Sequence, residues 1–332
     1  NILKKMIPEF LFRSLKRAYN KAELKINYRN DMKRYTKYSF ELSRNRSKRH
    51  METNLIFFYH KIEKGLSLPH PRVGFGKKVV NHLISLLKDY HVKYGWDTTA
   101  QVSLNTLFSY YEFNKKNGLD LEGLFTQIED LNNKYKQYSE LAFGGITRVS
   151  KKNIENCSMN FKDFALSRYS LRNFSPGEIP NSVIKEAVKI AQKAPSVCNR
   201  QSSKVYVYEG ESKRNVLAHQ NGNAGFGNDA DKVLIVTVEL RDFRGPKERN
   251  QAYIDGGLFS MSLIYAMHSL GVGTCALNLS LNHKDELKLL TEAEIPHSEI
   301  AIMMIAIGKI PEHFYVADSA RRDLEDVLKV RG

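Results

Sequence analysis

Residues 253–278, YIDGGLFSMSLIYAMHSLGVGTCALN, decide how the chain is read. The first eighteen carry Ile254, Leu258, Phe259, Met261, Leu263, Ile264, Met267 and Leu270, which fall on almost every side of a helix. A helix apolar all round is buried all round, so it is either a central core helix or one shared across a subunit interface. Gly271 and Gly273 then allow close backbone approach, and a short strand follows. Two near-continuous apolar runs, 232–240 and 300–308, read as strands covered on both faces; 204–209 reads as a third. Ile184, Ala187, Val188 and Ala191 mark an amphipathic helix stopped at Pro195. The back half therefore reads as α+β.

Upstream the pattern is helical. Val79, Val80, Leu83, Leu86, Leu87 and Tyr90 form one stripe, and Leu104, Leu107, Phe108 and Tyr111 a second. Leu121, Leu124, Phe125, Ile128, Leu131 and Tyr135 form a third. Between the start and these helices, residues 60–76 (HKIEKGLSLPHPRVGFG) hold three Gly and two Pro, which excludes one continuous helix or a central strand. The expected organisation is a basic α-helical N-terminal domain over 1–150 and a second domain over 161–332.

Charge divides along the same line. Of the formal +15, residues 1–160 hold 29 basic and 15 acidic side chains, while 161–332 hold 22 and 21. The first fifty residues alone carry 15 basic and 4 acidic ones. There Ile7, Phe10, Leu11, Leu15 and Ala18 recur at helical spacing, with Arg13, Lys16, Arg17 and Lys21 on the other face. That pattern suits a solvated surface helix or an anionic membrane surface; nucleic acid is disfavoured, because no groove-reading or aromatic pattern accompanies it. The longest apolar run, 300–307, is far short of a membrane span, and residues 1–10 lack a signal-peptide core. Three scattered cysteines argue against a disulfide scaffold or a zinc site. No HExxH, Walker loop or GxGxxG occurs, and no metal site is expected. A cytoplasmic protein is expected, with a peripheral seat at the inner membrane face left open.

Chemistry concentrates in four segments. Residues 167–174, SRYSLRNF, place Arg168, Ser170 and Arg172 at alternate positions, so an extended backbone turns two guanidinium groups and a hydroxyl to one side. Such a set suits a phosphate, although RxSxR also occurs in ordinary solvated loops. Residues 194–201, APSVCNRQ, follow a helix stop with Ser196, Asn199 and Gln201. Their short polar groups can meet the edge of a flat heteroaromatic ring or simply cap a turn. The third is the opening stretch. The fourth is the tail SARRDLEDVL, 319–328, with Arg321 and Arg322 as a phosphate clamp or plain surface charge.

In order and spacing these four resemble the nitroreductase family of FMN-dependent oxidoreductases, over about residues 161–330. SRYSLRNF is similar to its RRSxRxF, APSVCNRQ to its APSxxNxQ, and YIDGG through LGVGTC to its long dimer helix and following turn. IAIGKIP and the Arg-Arg pair resemble its last strand and C-terminal phosphate contact. The resemblance implies a central, mostly antiparallel sheet flanked by helices in an obligate homodimer, with two FMN sites at the interface. It implies that Arg168, Ser170 and Arg321 or Arg322 hold the FMN phosphate, with Tyr169 beside them. Arg172 would lie nearer the ribityl chain or pyrimidine edge, where positive charge favours the reduced flavin. Pro195, Ser196, Asn199 and Gln201 would line the isoalloxazine, and Leu277 and Asn278 would bring backbone amides near its reactive nitrogen. The implied activity is hydride transfer from NADH or NADPH through FMN to a small organic acceptor, with no catalytic side chain required. Tyr169 and His60 are conceivable proton donors, and Cys198 reads as an inert thiol. Two alternatives stay open: a flavin dehydrogenase or oxidase of a small metabolite, and a non-catalytic flavin-binding interaction module tethered by the basic front half.

Departures from the family pattern matter too. Ser202 and Ser203 follow Gln201 where the family often has Pro-Trp, and Asn278 stands where an acid sometimes occurs. The family's lid insertion shrinks here to about ten residues, 241–251, the size of a plain connection. The front domain, through 66–76, is the expected replacement wall.

Overall fold

The computed structural model describes residues 8–66, 71–134, 144–146, 161–312, 314 and 324–332. Among the described residues the front half holds five helices: α1 Glu9–Tyr38, α2 Lys48–Leu66, α3 Lys77–Tyr94, α4 Thr98–Lys116 and α5 Glu122–Lys134. After them come α6 Phe161–Leu166, α7 Asn181–Ala191, β1 Ser203–Tyr208, α8 Gly210–Leu217, β2 Lys232–Glu239 and α9 Gln251–Ser269. The chain finishes with β3 Val272–Leu277, α10 His283–Glu292, β4 Glu299–Lys309 and α11 Leu324–Val327. The four strands form one antiparallel sheet in the order β1-β2-β4-β3, so the back half is α+β as expected.

The front helices share a core of their own, in which Leu55, Ile62, Leu83, Leu87, Leu104, Leu107 and Ile128 are buried. These are the three stripes read from the sequence, joined by α2. That helix runs on through Leu66, so the first part of the punctuated 60–76 segment is helical. Residues 67–70 lie outside the described residues. Phe75 packs edge-on against Tyr110, whose hydroxyl donates to the Phe75 carbonyl at 2.6 Å.

In the back half, α7 and α9 cover one face of the sheet and α8 and α10 the other. Every residue of β2 is buried, as its near-continuous apolar run predicts. At Gly256 on α9 an added Cβ would meet Ile302 Cγ1 at 2.6 Å and Val238 Cγ2 at 2.8 Å, so glycine lets the helix lie close on the sheet. The opposite flank of α9 is open in the single chain: Ile254 (52% exposed), Leu258 (44%) and Met261 (36%) form an apolar stripe at helical spacing. In the single chain the helix is therefore not buried all round.

The two halves are bonded at the short β2–α9 connection. The Tyr35 hydroxyl donates to the Gly245 carbonyl at 2.8 Å, and the Phe40 and Glu41 amides donate to the Phe243 and Arg244 carbonyls. Arg49 donates twice to Asp242, at 2.6 Å each, and Thr53 adds a third bond to that carboxylate. The Arg244 guanidinium lies 4.0 Å from the Phe57 ring centroid. The connection is thus two short 3₁₀ turns, Leu240–Asp242 and Pro246–Glu248, clamped by the front domain.

Candidate active site

The predicted site residues fall into two groups, one at each end of α9. At its C-terminal end, residues 170–175 run beside the free edge of β3. Ser170 bridges Thr274, the Leu171 amide donates to the Thr274 carbonyl at 2.8 Å, and Ser175 bridges Lys309. Gly273 makes this fit, since a Cβ there would meet Leu171 Cδ2 at 2.7 Å. The pairing extends the backbone, so alternation turns Leu171 into the core while Arg172 is exposed and Arg168 half-buried. Among the described residues neither guanidinium has an ion pair or a hydrogen bond. Their charge is felt nearby. Burial pushes the Cys275 thiol up and Arg172 and Arg168 pull it back, while burial and Arg168 both push the His268 imidazole below its ordinary range. Ser167 Oγ lies 2.8 Å from His268 Nε2 and ties the segment to α9. Tyr169 is exposed.

At the N-terminal end lies the 195–201 loop. Three of its residues, none of them glycine, have left-handed backbones: Cys198 (φ 51°), Asn199 (φ 52°) and Gln201 (φ 50°). Left-handed conformations disfavour side chains that carry a Cβ, so the surroundings must hold them. The Asp255 carboxylate accepts from the Val197 amide at 3.1 Å, and the Ser196 hydroxyl accepts from the Gln201 amide at 3.0 Å. Arg200 is the central brace. Buried in the loop, it donates through Nε to the Val197 carbonyl, through Nη1 to the Asp242 carbonyl, and through both Nη atoms to Glu248 at 2.9 and 2.8 Å. Burial works against both charges of this pair; each partner outweighs it, so the guanidinium pKa rises and the Glu248 carboxyl stays below its usual range. Helix α2 of the front domain packs against the 197–199 turn. Of the expected wall, 66–76, residues 67–70 lie outside the described residues, while Leu66 and Phe75 pack into the helical core.

What the loop leaves free are carboxamides. The Asn199 and Gln201 side chains are exposed and without hydrogen-bond partners among the described residues. Ser196, by contrast, is engaged in closing the turn. Pro195, Ser196 and Gln201 line a small cleft with Asp255 and Phe259. Leu277 is buried in the β3–β4 ladder; the Asn278 carbonyl accepts from Gln220 and its side chain from the Ser280 amide. Arg321 and Arg322 lie outside the described residues. His60, on α2, pairs with Glu63 at 3.1 Å.

One chain does not bring the two groups together. Asp255 and His268 anchor them thirteen residues apart on a straight helix, a separation of about 20 Å at 1.5 Å per residue. Sequence reading passed over Arg200, Glu248, Asp255 and His268. Only Arg200 gave a signal, as a charged residue between two carboxamides in the quoted loop.

The sequence model of the nitroreductase family matches residues 165–220, which contain both the arginine segment and the 195–201 loop. No curated protein matches the chain. Solved structures similar to it include a Desulfovibrio desulfuricans protein in complex with FMN (17% identity, 53% of this chain, 98% of that one, TM-score 0.46). A nitroreductase family protein from Streptococcus pneumoniae (18%, 52% and 100%, 0.45) and an FMN-dependent nitroreductase from Clostridium difficile (19%, 51% and 98%, 0.43) are also similar. The match to the nitroreductase family thus rests on residues 165–220, which open the back half of the chain.

Proposed function

We propose that the chain is an FMN-dependent oxidoreductase working as a homodimer, with each site built from the Arg168 end of one protomer and the 195–201 loop of the other. The observation that carries this reading is the placement of unpartnered groups. Among the described residues two guanidinium groups have no partner at one end of α9 and two carboxamides none at the other, with the exposed Ile254–Leu258–Met261 stripe between them. A two-fold contact repeats the same patch on both partners. Midway between Asp255 and His268 lies Met261, so antiparallel pairing of this stripe carries the loop of each chain to the arginine end of the other. The all-apolar helix, the open stripe and the divided site then have one cause.

The residues fit FMN by their chemistry. Arg168 and Arg172 supply forked donors and positive charge for a phosphate dianion, with the Ser170 hydroxyl between them. Asn199 and Gln201 offer donor and acceptor to the edge of a flavin ring, and the braced loop keeps them in place without rearrangement. The backbone at Leu277 and Asn278 continues from the same strand that carries the arginine segment. Arg321 or Arg322 would join the phosphate. When bound, FMN supplies two-electron chemistry between NADH or NADPH and a small organic acceptor. The protein's part is to bind, orient and exclude water; the front domain contributes by packing α2 beside the loop.

The visible spectrum of the purified protein tests this. Yellow protein that bleaches with NADH or NADPH and recolours with an organic acceptor supports the enzyme. Yellow protein that neither nicotinamide bleaches leaves a flavin-binding module. Colourless protein that rejects added FMN ends the proposal.

A further inference from the structure

Away from this site, one apolar surface has no partner among the described residues. Helix α1 is 30 residues long, and the bonds that tie it to the back half come from its later turns. Asn27 accepts from the His283 amide, Arg34 donates to Glu286 and to the Glu299 carbonyl, and Tyr35 donates to the Gly245 carbonyl. At 100° per residue, Leu11, Leu15, Ala18, Ala22 and Ile26 follow one another along a stripe turned about 150° from those bonded residues. The described parts of the back half that bond α1 therefore lie on its other side. Leu15 is 53% exposed, Ile26 57%, and Tyr19 at the edge of the stripe 67%.

The same sector changes chemistry along its length. Beyond Ile26 it presents Arg29, Lys33 and Lys37. Lys33 and Lys37 then line a cavity of about 630 Å³ together with Arg44 and Arg241, and no carboxylate lines it. The three acids of α1, Glu9, Glu23 and Asp31, all fall outside the sector. Apolar turns followed by acid-free cationic turns on one face match a bilayer boundary, where acyl chains lie beneath phosphodiester headgroups. Pairing with a second copy would bring together two helices that each carry nine basic and three acidic residues. Nucleic acid would leave the apolar turns unused.

We propose that the outer face of α1 docks on an anionic lipid bilayer. Leu11, Leu15, Tyr19 and Ile26 enter the headgroup–acyl boundary, and Lys33, Lys37 and Arg44 hold headgroup phosphates. This stands independently of the redox reading.

Co-sedimentation of the full chain with vesicles tests it. Vesicles of phosphatidylcholine with one part in four phosphatidylglycerol should bind at least about tenfold more tightly than phosphatidylcholine alone, and less tightly as salt rises. Leu15→Glu with Ile26→Glu should cut that affinity about tenfold or more. Lys33→Glu with Lys37→Glu should abolish the preference for the anionic lipid. These side chains are exposed, and circular dichroism checks the fold; Leu15→Gln with Ile26→Gln is the milder pair should the first misfold. Equal binding to both vesicles, no binding, or binding untouched by the substitutions overturns the proposal. So does a protein that ignores vesicles but falls to a smaller assembly on Leu15→Glu, which would make the stripe an interface between copies. Binding to duplex DNA in place of vesicles overturns it as well.

Discussion

The two ends of α9 are built on opposite principles. At the N-terminal end the strained loop is braced by its neighbours: Asp255 holds Val197, Arg200 grips Glu248 and two carbonyls, and α2 closes from outside. At the C-terminal end two guanidinium groups stand beside a sheet edge with no counter-charge among the described residues. Rigid carboxamides suit a flat ring that must be oriented, whereas unpaired cations suit a phosphate that brings its own charge. The braced end should therefore respond to mutation through stability, and the open end through ligand retention.

The largest effect expected is at the brace. Arg200→Ala leaves Glu248 only the Arg244 amide and strips the Asp242 carbonyl of its donor in a mostly buried setting, and should cost about 3 kcal/mol in chemical denaturation. A loss near zero would break the contrast. Next comes Arg49→Ala, which strands the buried Asp242 carboxylate and should cost about 2 kcal/mol near neutral pH. Burial pushes the Asp242 pKa up, with Arg49 and Thr53 opposing. A carboxyl with a raised folded pKa takes up a proton more readily when folded than when unfolded, so folding gains as pH falls through that value. The Arg49→Ala deficit should therefore shrink on acidification, and denaturation midpoints from pH 7 down to pH 5 check the sign.

At the open end, Arg168→Ala or Arg172→Ala should leave stability within about 0.5 kcal/mol and weaken FMN retention by about tenfold. Unchanged flavin content would remove that residue from the site; a large stability loss would erase the difference between the two ends. The smallest effect is Gln201→Gly. Relieving one left-handed residue should stabilise by up to about 1 kcal/mol, a shift that thermal denaturation resolves.

Much of this architecture was legible in the sequence because local period carries it. The stripes through Leu83, Leu87, Leu104 and Ile128 became a helical core, and 232–240 and 300–308 became central strands. The pairing of the arginine segment with β3 was foreshadowed by alternation in SRYSLRNF. What escaped reading depends on partners far along the chain. Arg49 meets Asp242 across 193 positions and Arg200 meets Glu248 across 48, and no local spacing encodes either. The approach of α2 to the loop is of the same kind: the stripe Arg49, Thr53 and Phe57 turns toward the β2–α9 connection, which no local spacing marks.

The divided site is tested most directly by mixing two crippled chains. One carries Arg168→Ala with Arg172→Ala, the other Asn199→Ala with Gln201→Ala, and each alone should lose bound flavin. Co-expressed, their heterodimer should regain about one flavin per pair, because it rebuilds one intact site and leaves one doubly broken. Recovery of flavin in the isolated heterodimer is the predicted result; no recovery, with heterodimers formed, would place both ends of the site within a single chain and contradict the account.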